Sequence, residues 1–247
     1  MNDTTNARVA IVTGASRGIG AAIARRLARD GFAVAVNYAS SAAEADALAA
    51  ELQAGGAAAL AVKADIGRAD DVRRMFDAVE RQLGTVDVLV NNAGILKTGP
   101  LADTTDAAFD QIFDINVRGT FNTLREAAAR LADGGRIINL SSTMLALKLP
   151  GYAIYNATKA AVEALTHVFA KELRGRRIAV NAVAPGPVAT SLFLDGKTDE
   201  QIQTYAKMPP LERLGEPDDI AGVVSFLAGA DGGWVNGQVL RANGGIA

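Results

Sequence analysis

Short apolar runs alternate with segments in which apolar residues recur at helical spacing. Ile19, Ile23 and Leu27 lie four residues apart, which places them on one face of a helix. The continuous apolar run at 86–90 is typical of a strand that is buried on both faces. The pattern predicts strands at residues 9–13, 32–36, 59–63, 86–90, 136–140, 177–184 and 238–241. It predicts helices after the turn at 14–20, after Ser41, and at residues 70–83, 107–131, 153–173 and 217–227.

No linker, repeat or block of charge divides these elements, so residues 1–247 are predicted to form one domain. The alternation of strands and helices predicts an α/β protein with a doubly wound, mostly parallel, seven-stranded sheet and helices on both faces. Residues 1–7 are expected to be a flexible N-terminus. Residues 191–208 read as an irregular or helical insertion, and we expect them to form a substrate lid.

Composition narrows the classes of function. The chain has no cysteine, which excludes disulfides and thiolate metal sites, and no cluster of metal-ligating residues is visible in the sequence. The 25 basic and 27 acidic residues give a formal net charge of -2, which predicts neither nucleic acid nor an anionic membrane as a partner. No apolar run is long enough to span a bilayer, so a cytoplasmic location is expected.

The segment TGASRGIG at residues 13–20 joins the first predicted strand to the first predicted helix. Such a turn presents the free backbone N–H groups of a helix N-terminus to a phosphate. We expect Gly14 to permit the turn, Gly18 to let a cofactor approach closely and Gly20 to let helix and strand pack tightly. The alternative is a glycine-rich loop without a ligand, which the position between strand and helix disfavours.

The end of the second strand indicates which nicotinamide cofactor is used. An acid there would bind the ribose 2′-hydroxyl of NAD, but this chain has Asn37 followed by Tyr38. Arg17 in the glycine turn, with Ser40 and Ser41, could bind the 2′-phosphate of NADP. These features predict NADP(H) in preference to NAD(H). The alternative is that Arg17 is a solvated surface residue and Ser40 a helix cap.

Tyr155 and Lys159 lie four residues apart on a predicted helix and therefore share a face. An ordinary tyrosine has a pKa of about 10, and a nearby ammonium favours the phenolate and lowers that pKa. Tyr152 is the rival, but the residue four positions after it is the uncharged Asn156. The pattern therefore favours Tyr155 as a proton donor and acceptor.

These motifs together resemble those of the short-chain dehydrogenase/reductase family, and the resemblance extends over nearly the whole chain. They are TGASRGIG at 13–20, NNAG at 91–94, DINV at 114–117, a serine thirteen positions before Tyr155, and NAVAPGPVAT at 181–190. The segments RLGEPDDI at 213–220 and VNGQ at 235–238 also resemble the family. The resemblance implies a single-domain Rossmann fold, an NADP-dependent oxidoreductase acting on CH–OH groups, and a homotetramer.

The resemblance also assigns roles to individual residues. Tyr155 is similar to the family's general acid/base, Lys159 lowers its pKa, Ser142 orients the substrate oxygen, and Asn116 distorts its helix and holds a water. The implied cofactor contacts are Gly14, Ser16, Arg17, Gly18, Ile19, Gly20, Asn37, Tyr38, Ser40, Ser41, Asp65, Ile66, Asn91, Ala93, Gly94, Tyr155, Lys159, Pro185, Gly186, Val188 and Thr190. Candidates for lining the substrate pocket, with ordinary packing as the alternative, are Met144, Leu145, Tyr152, Leu192 and Phe193.

Three functions follow, in order of preference. The first is transfer of hydride between NADP(H) and the carbonyl or secondary alcohol of a small or medium apolar molecule. The second is a 3-oxoacyl-(acyl-carrier-protein) reductase of fatty-acid synthesis, which needs a basic surface for its acidic carrier. Basic candidates for that surface are Arg125, Arg130, Arg174, Arg176 and Arg177. The third is a non-catalytic NADP-binding sensor, which the presence of all four catalytic candidates disfavours.

Overall fold

The computed structural model describes residues 7–247, and within them seven parallel strands form one sheet. The strands are β1 Val9–Val12, β2 Ala33–Tyr38, β3 Ala59–Lys63, β4 Val86–Asn91, β5 Arg136–Leu140, β6 Ala179–Pro185 and β7 Val239–Ala242. Their order is β3-β2-β1-β4-β5-β6-β7, and every neighbouring pair is parallel. The predicted α/β fold is therefore confirmed.

Helices cover both faces of the sheet. They are α1 Gly18–Arg29, α2 Ala42–Ala54, α3 Ala69–Gln82, α4 Asp106–Phe113, α5 Gly119–Arg130, α6 Met144–Leu147, α7 Ala153–Glu172, α8 Ser191–Leu194, α9 Asp199–Lys207 and α10 Pro217–Ala228. Alternate residues of β1 point to opposite faces: Ala10 and Val12 pack with α1, α2 and α10, whereas Val9 and Ile11 pack with α3, α5 and α7. Burial on both faces explains the unbroken apolar runs of the central strands.

The strand order reverses at β1, which lies between β2 and β4. In sheets of this kind, ligands bind outside the carboxyl ends of the strands at the point where the order reverses. The segments that leave β1 and β4 at that point contain the two glycine-bearing motifs, TGASRGIG and NNAG. The fold therefore brings to one edge of the sheet motifs that are far apart in sequence.

The helix predicted over 107–131 is interrupted. A π-helical turn at Asp114–Arg118 separates α4 from α5. Inside the turn, Asn116 is buried and binds both backbone polar groups of Ile95: its Oδ1 accepts from the N–H at 2.8 Å and its Nδ2 donates to the carbonyl at 3.0 Å. A helical bulge of this type is common at functional sites, and here it points a side chain at the segment after β4.

The sixth strand begins at Ala179 rather than 177, because Arg177 has a left-handed φ of 56°. The insertion at 191–208, predicted as irregular or helical, contains the two helices α8 and α9. The predicted flexible N-terminus, residues 1–7, lies outside the described residues except for Ala7. Among the helices of residues 7–247, none combines the length and hydropathy needed to cross a membrane.

Candidate active site

The turn between β1 and α1 has a conformation that depends on glycine. Gly14 and Gly18 have φ values of 61° and 57°, in the left-handed region that glycine tolerates best. A Cβ atom at Gly20 would lie 2.5 Å from Asn92 Nδ2, which is too close for packing. Asn92 also fixes the turn, because its Nδ2 donates to the carbonyls of Thr13 and Gly14 at 2.9 and 3.0 Å. The turn is therefore held in one shape by the NNAG segment.

Two helix N-termini and three polar side chains meet at one end of an open cavity. None of the described side chains caps the first turn of α1, which follows Arg17, or that of α2, which follows Ser41. Arg17, Ser40 and Ser41 all line the cavity at this end. Backbone N–H groups at a helix start and a guanidinium are both suited to bind phosphate oxygens. This end of the cavity therefore fits a phosphate-bearing ligand.

Asn37 lies behind this end of the cavity instead of lining it. Its side chain is 2% exposed, with Oδ1 accepting from the Gly14 N–H at 3.2 Å. Its Nδ2 donates to the carbonyls of Val62 and Ala64 at 3.2 and 3.1 Å. These bonds tie the glycine turn to β2 and β3. Of the two predicted contacts at the end of β2, Tyr38 lines the cavity and Asn37 does not, so a direct contact between Asn37 and a cofactor stays a prediction.

The other end of the cavity contains the hydroxyls predicted for catalysis. Ser142 follows β5, and its hydroxyl lies near the phenol of Tyr155 on α7, close enough to affect the pKa of that phenol. Lys159, one turn further along α7, donates from Nζ to the Leu140 carbonyl at 2.8 Å, and Nζ lies 5.8 Å from the centre of the Tyr155 ring. The three side chains line the cavity together. The spacing of four residues thus places the phenol and the ammonium side by side, as the helix periodicity requires.

Burial dominates the protonation of these groups in the protein without cofactor. It raises the pKa of the Tyr155 phenol, and the nearby Ser142 hydroxyl offsets part of that rise. It lowers the pKa of Lys159 to about 8. The expected lowering of the tyrosine pKa by Lys159 is therefore not found here, because both charged forms are disfavoured by loss of water. The phenol is protonated at neutral pH, which is the state of a proton donor.

Asn116 acts on the site from behind the cavity wall. Its Nδ2 donates to Thr158 Oγ1 at 3.1 Å, and that hydroxyl donates to the Tyr155 carbonyl at 2.7 Å. A Cβ atom at Gly94 would lie 3.2 Å from Asn116 Oδ1 and 3.6 Å from Lys159 Nζ. Asn116 therefore links the π-helical turn to the helix that positions Tyr155, while Gly94 permits the close approach of these groups.

Comparison with known proteins gives the same architecture. A family model described as enoyl-(acyl carrier protein) reductase matches residues 14–247. A short-chain type dehydrogenase/reductase from Picea abies is 45% identical, over 96% of this chain and 92% of the relative. The protein belongs to the short-chain dehydrogenase/reductase family. It is an oxidoreductase by that membership.

Two further proteins are similar to this chain over almost their full lengths. A protein from Arabidopsis thaliana named as a chloroplastic NADPH-dependent aldehyde reductase-like protein is 46% identical, over 96% of this chain and 93% of its own. The crystal structure of a blue fluorescent protein from a metagenomic library in complex with NADPH has a TM-score of 0.92 and 42% identity, and covers 98% of both chains.

Most residues that the sequence predicts for the site of this short-chain dehydrogenase/reductase line the one cavity. The predicted cofactor contacts found there are Gly14, Ser16, Arg17, Gly18, Ile19, Gly20, Tyr38, Ser40, Ser41, Ala93, Gly94, Tyr155, Lys159, Pro185, Gly186, Val188 and Thr190. The other predicted residues found there are Ser142, Met144, Tyr152, Leu192 and Phe193.

Four more predicted residues, besides Asn37 and Asn116, are absent from the described cavity wall. The Asp65 carboxylate accepts a hydrogen bond within its own turn. Ile66 is 5% exposed and packs beneath the start of α5, and the Asn91 side chain is buried against Asn139 at 2.8 Å. Leu145 is half-buried on the short helix α6, next to Met144, which lines the cavity in its place.

Several lining residues were missed by the sequence analysis. They are Ala39, Asn92, Ile95, Leu96, Ile115, Leu140, Ser141, Pro187 and Ser191. Asn92 could have been found, since it is the second residue of the NNAG motif. Ile95 and Leu96 carry no such signal, because the bond between Asn116 and Ile95 joins segments that are 21 positions apart.

Proposed function

We propose that this protein transfers hydride between NADP(H) and the carbonyl or secondary-alcohol carbon of a small or medium apolar substrate. The observation that carries the proposal is that one cavity joins Arg17 and the two uncapped helix N-termini to the Ser142–Tyr155 pair. The first end fits the phosphates of a dinucleotide, and the second end fits a reacting carbonyl. NADPH bound to a structural neighbour and an NADPH-dependent relative support the choice of cofactor.

The side chains at the second end have separate tasks. The nicotinamide supplies the hydride when it is bound. Ser142 and Tyr155 hydrogen-bond the substrate oxygen, and Tyr155 donates its proton as negative charge grows there. Lys159 has a pKa of about 8, close to physiological pH, so it can return a proton towards Tyr155 after turnover. The raised pKa of Tyr155 suits reduction, because the phenol then starts out protonated.

The direct test is oxidation of NADPH, and of NADH in parallel, with a panel of uncharged aldehydes and ketones. We expect turnover with NADPH on several members of the panel and a lower kcat/KM with NADH. We call the end of the cavity that contains Arg17 and the two helix N-termini the phosphate end. Preference for NADH would contradict its assignment to the 2′-phosphate of NADP. Tight NADPH binding without turnover on any carbonyl would contradict the proposed catalysis and favour the sensor.

Replacing Arg17 tests the phosphate end alone. Arg17→Gln should weaken NADPH binding about tenfold, since one charge-assisted hydrogen bond contributes roughly 1.5 kcal/mol or more. NADH has no 2′-phosphate, so its affinity should change little. Fluorescence titration with each cofactor measures both constants, and Arg29→Gln on the same helix α1, outside the described wall of this cavity, is the matched control. Equal weakening of both cofactors would contradict the assignment of Arg17 to the 2′-phosphate.

An acyl carrier protein is less well supported as a partner, because three of the five basic candidates are engaged within the chain. Arg130 forms salt bridges with three acidic side chains, and Arg176 pairs with Asp133. The Arg125 guanidinium lies over the ring of Phe121. A free small carbonyl compound therefore remains the preferred substrate.

We propose a homotetramer on the basis of the family, and Trp234 offers a direct test. It is the single tryptophan of the chain and is 99% exposed in one protomer, and Phe226 on the adjoining α10 is 42% exposed. Exposed apolar side chains of this size are typical of interfaces. We expect light scattering to give the mass of four chains, and Trp234 emission at shorter wavelengths than in the unfolded chain. The variant Phe226→Asp should have the mass of one chain and Trp234 emission like that of the unfolded chain. A wild-type protein with that mass and that emission would contradict the proposal.

The cytoplasmic location stays a prediction. One of the relatives described above is named as a chloroplastic protein, so membership of the family does not fix the compartment.

A further inference from the structure

The substrate end of the cavity is uncharged. Arg17 and Lys159 are the charged side chains among the described residues that line the cavity. Arg17 belongs to the phosphate end, and Lys159 is 6% exposed and bound to the Leu140 carbonyl. Around Ser142, the wall contains apolar and aromatic side chains instead, including the buried Met144. A carboxylate or phosphate on the substrate would lose its water there without gaining a partner.

Two aromatic side chains of this wall are fixed by a third that does not line the cavity. Phe193 lies edge-to-face with Tyr205, with ring centres 5.1 Å apart and planes at 82°. Tyr152 is 8% exposed, and its phenol lies near that of Tyr205, which contributes to the raised pKa of Tyr152. Tyr152 also lies edge-to-face with Tyr155, at 6.4 Å and 72°. We call Tyr152, Phe193 and Tyr205 the aromatic wall.

The lid helix α9 gives Tyr205 its position. A capping box between Thr198 and Gln201 defines the start of this helix. Phe193 is also contacted by Lys197, whose Nζ lies 4.4 Å from the centre of the ring. Phe193 therefore has contacts with both Tyr205 and Lys197. The wall therefore has a set geometry before any substrate binds.

We propose that Tyr205, through Tyr152 and Phe193, makes this site select carbonyl compounds that carry a flat, uncharged aromatic ring one CH₂ group away from the carbonyl carbon. A flat ring can meet aromatic walls edge-to-face or offset, and each such pair adds about 0.5–1.5 kcal/mol beyond the area it buries. A saturated ring of the same carbon number is thicker and has no such interaction. Tyr205 is a positioning residue, since it acts through the two side chains that meet the substrate. The inference rests on the proposed function.

The test compares phenylacetone with cyclohexylacetone, using NADPH and the full-length protein. Their carbonyl groups are equally separated from the ring by one CH₂, so the ketones differ in the ring and not in conjugation. We expect kcat/KM to favour phenylacetone about tenfold, mainly through KM, because one or two aromatic contacts contribute roughly 1–2 kcal/mol. Tyr205→Phe, which retains the ring, should keep most of this preference. Tyr205→Leu should reduce it to about twofold or less.

Gln203→Leu is the matched control, since Gln203 is exposed on the same helix and does not line the described cavity. It should leave the preference at the wild-type value. Equal kcat/KM for the two ketones in the wild type, or reduction of other carbonyls but of neither ring ketone, would overturn the inference and leave the proposed function standing. If Tyr205→Leu folds, binds NADPH and still prefers phenylacetone as the wild type does, the positioning role of Tyr205 is overturned. Failure to reduce any carbonyl would overturn the proposed function itself.

Discussion

Tyr155→Phe should lower kcat for carbonyl reduction by about 10²- to 10⁴-fold, the range typical for loss of a general acid. The phenol lines the cavity beside Ser142, and burial keeps it protonated. Without its hydroxyl, the substrate oxygen keeps one donor from Ser142 but loses the proton that it must receive. Affinity for NADPH should stay within about threefold, because the phosphate end lies at the other end of the cavity. Single-turnover kinetics and a fluorescence titration with NADPH separate the two effects.

Tyr152→Phe is the matched control, because Tyr152 lies on the same wall and one helical turn before Asn156 rather than before a lysine. Its kcat should remain within a few-fold of the wild type. Burial raises the pKa of both phenols, so position and not protonation distinguishes them: no lysine follows Tyr152 one turn later. If Tyr152→Phe lost as much activity as Tyr155→Phe, the assignment of the proton donor would be wrong.

Asn37→Asp should destabilise the fold, with an expected loss of about 2–4 kcal/mol in the free energy of unfolding at pH 7. One carboxylate oxygen could still accept from the Gly14 N–H, but the other would face the carbonyl oxygens of Val62 and Ala64. Protonating the new carboxyl relieves that repulsion. Because its ordinary pKa is about 3.9, taking up a proton at pH 7 costs about 4 kcal/mol, which limits the loss.

The pH dependence of this variant has a definite sign. The folded state raises the pKa of the new carboxyl above its value in the unfolded chain. The folded form then binds more protons, so the difference from the wild type should shrink as the pH falls towards about 4 and grow as it rises. Chemical denaturation of the wild type and of Asn37→Asp at several pH values measures this difference in the free energy of unfolding.

Tyr38→Asp is the contrasting variant. Tyr38 lines the cavity, where a carboxylate could reach solvent and the cofactor ribose. It should change stability little, and it should shift the preference towards NADH by repelling the 2′-phosphate. If Asn37→Asp folded normally and Tyr38→Asp left the cofactor preference unchanged, the assignment of Asn37 to the interior and of Tyr38 to the cavity would be wrong.

Local pattern was sufficient for most of the fold. The short apolar runs gave the strands to within two residues, because β-branched residues bounded by glycine leave few alternatives. The alternation with helical segments then required a parallel sheet, since parallel neighbours need a crossover between them. Spacing also placed Tyr155 and Lys159 on one face of α7, which is a property of any helix.

Contacts between distant segments decided the rest. Whether Asn37 or Tyr38 meets the cavity depends on the partners that each side chain finds in the folded protein, and the bonds from Asn37 to Val62 and Ala64 keep its side chain inside. The break in the long helix accompanies the pairing of Asn116 with Ile95, and the aromatic wall forms because α9 brings Tyr205 against Phe193.

The sequence by itself therefore determined the order of elements, the glycine turn and the Tyr155–Lys159 pair, all of which rest on interactions within a few residues. The tertiary structure alone decided which polar side chains reach the cavity, how burial shifts the pKa of Tyr155 and of Lys159, and which rings line the cavity. The physical reason is that periodicity is a short-range property, whereas burial and hydrogen-bond partners come from segments that meet only when the chain has folded.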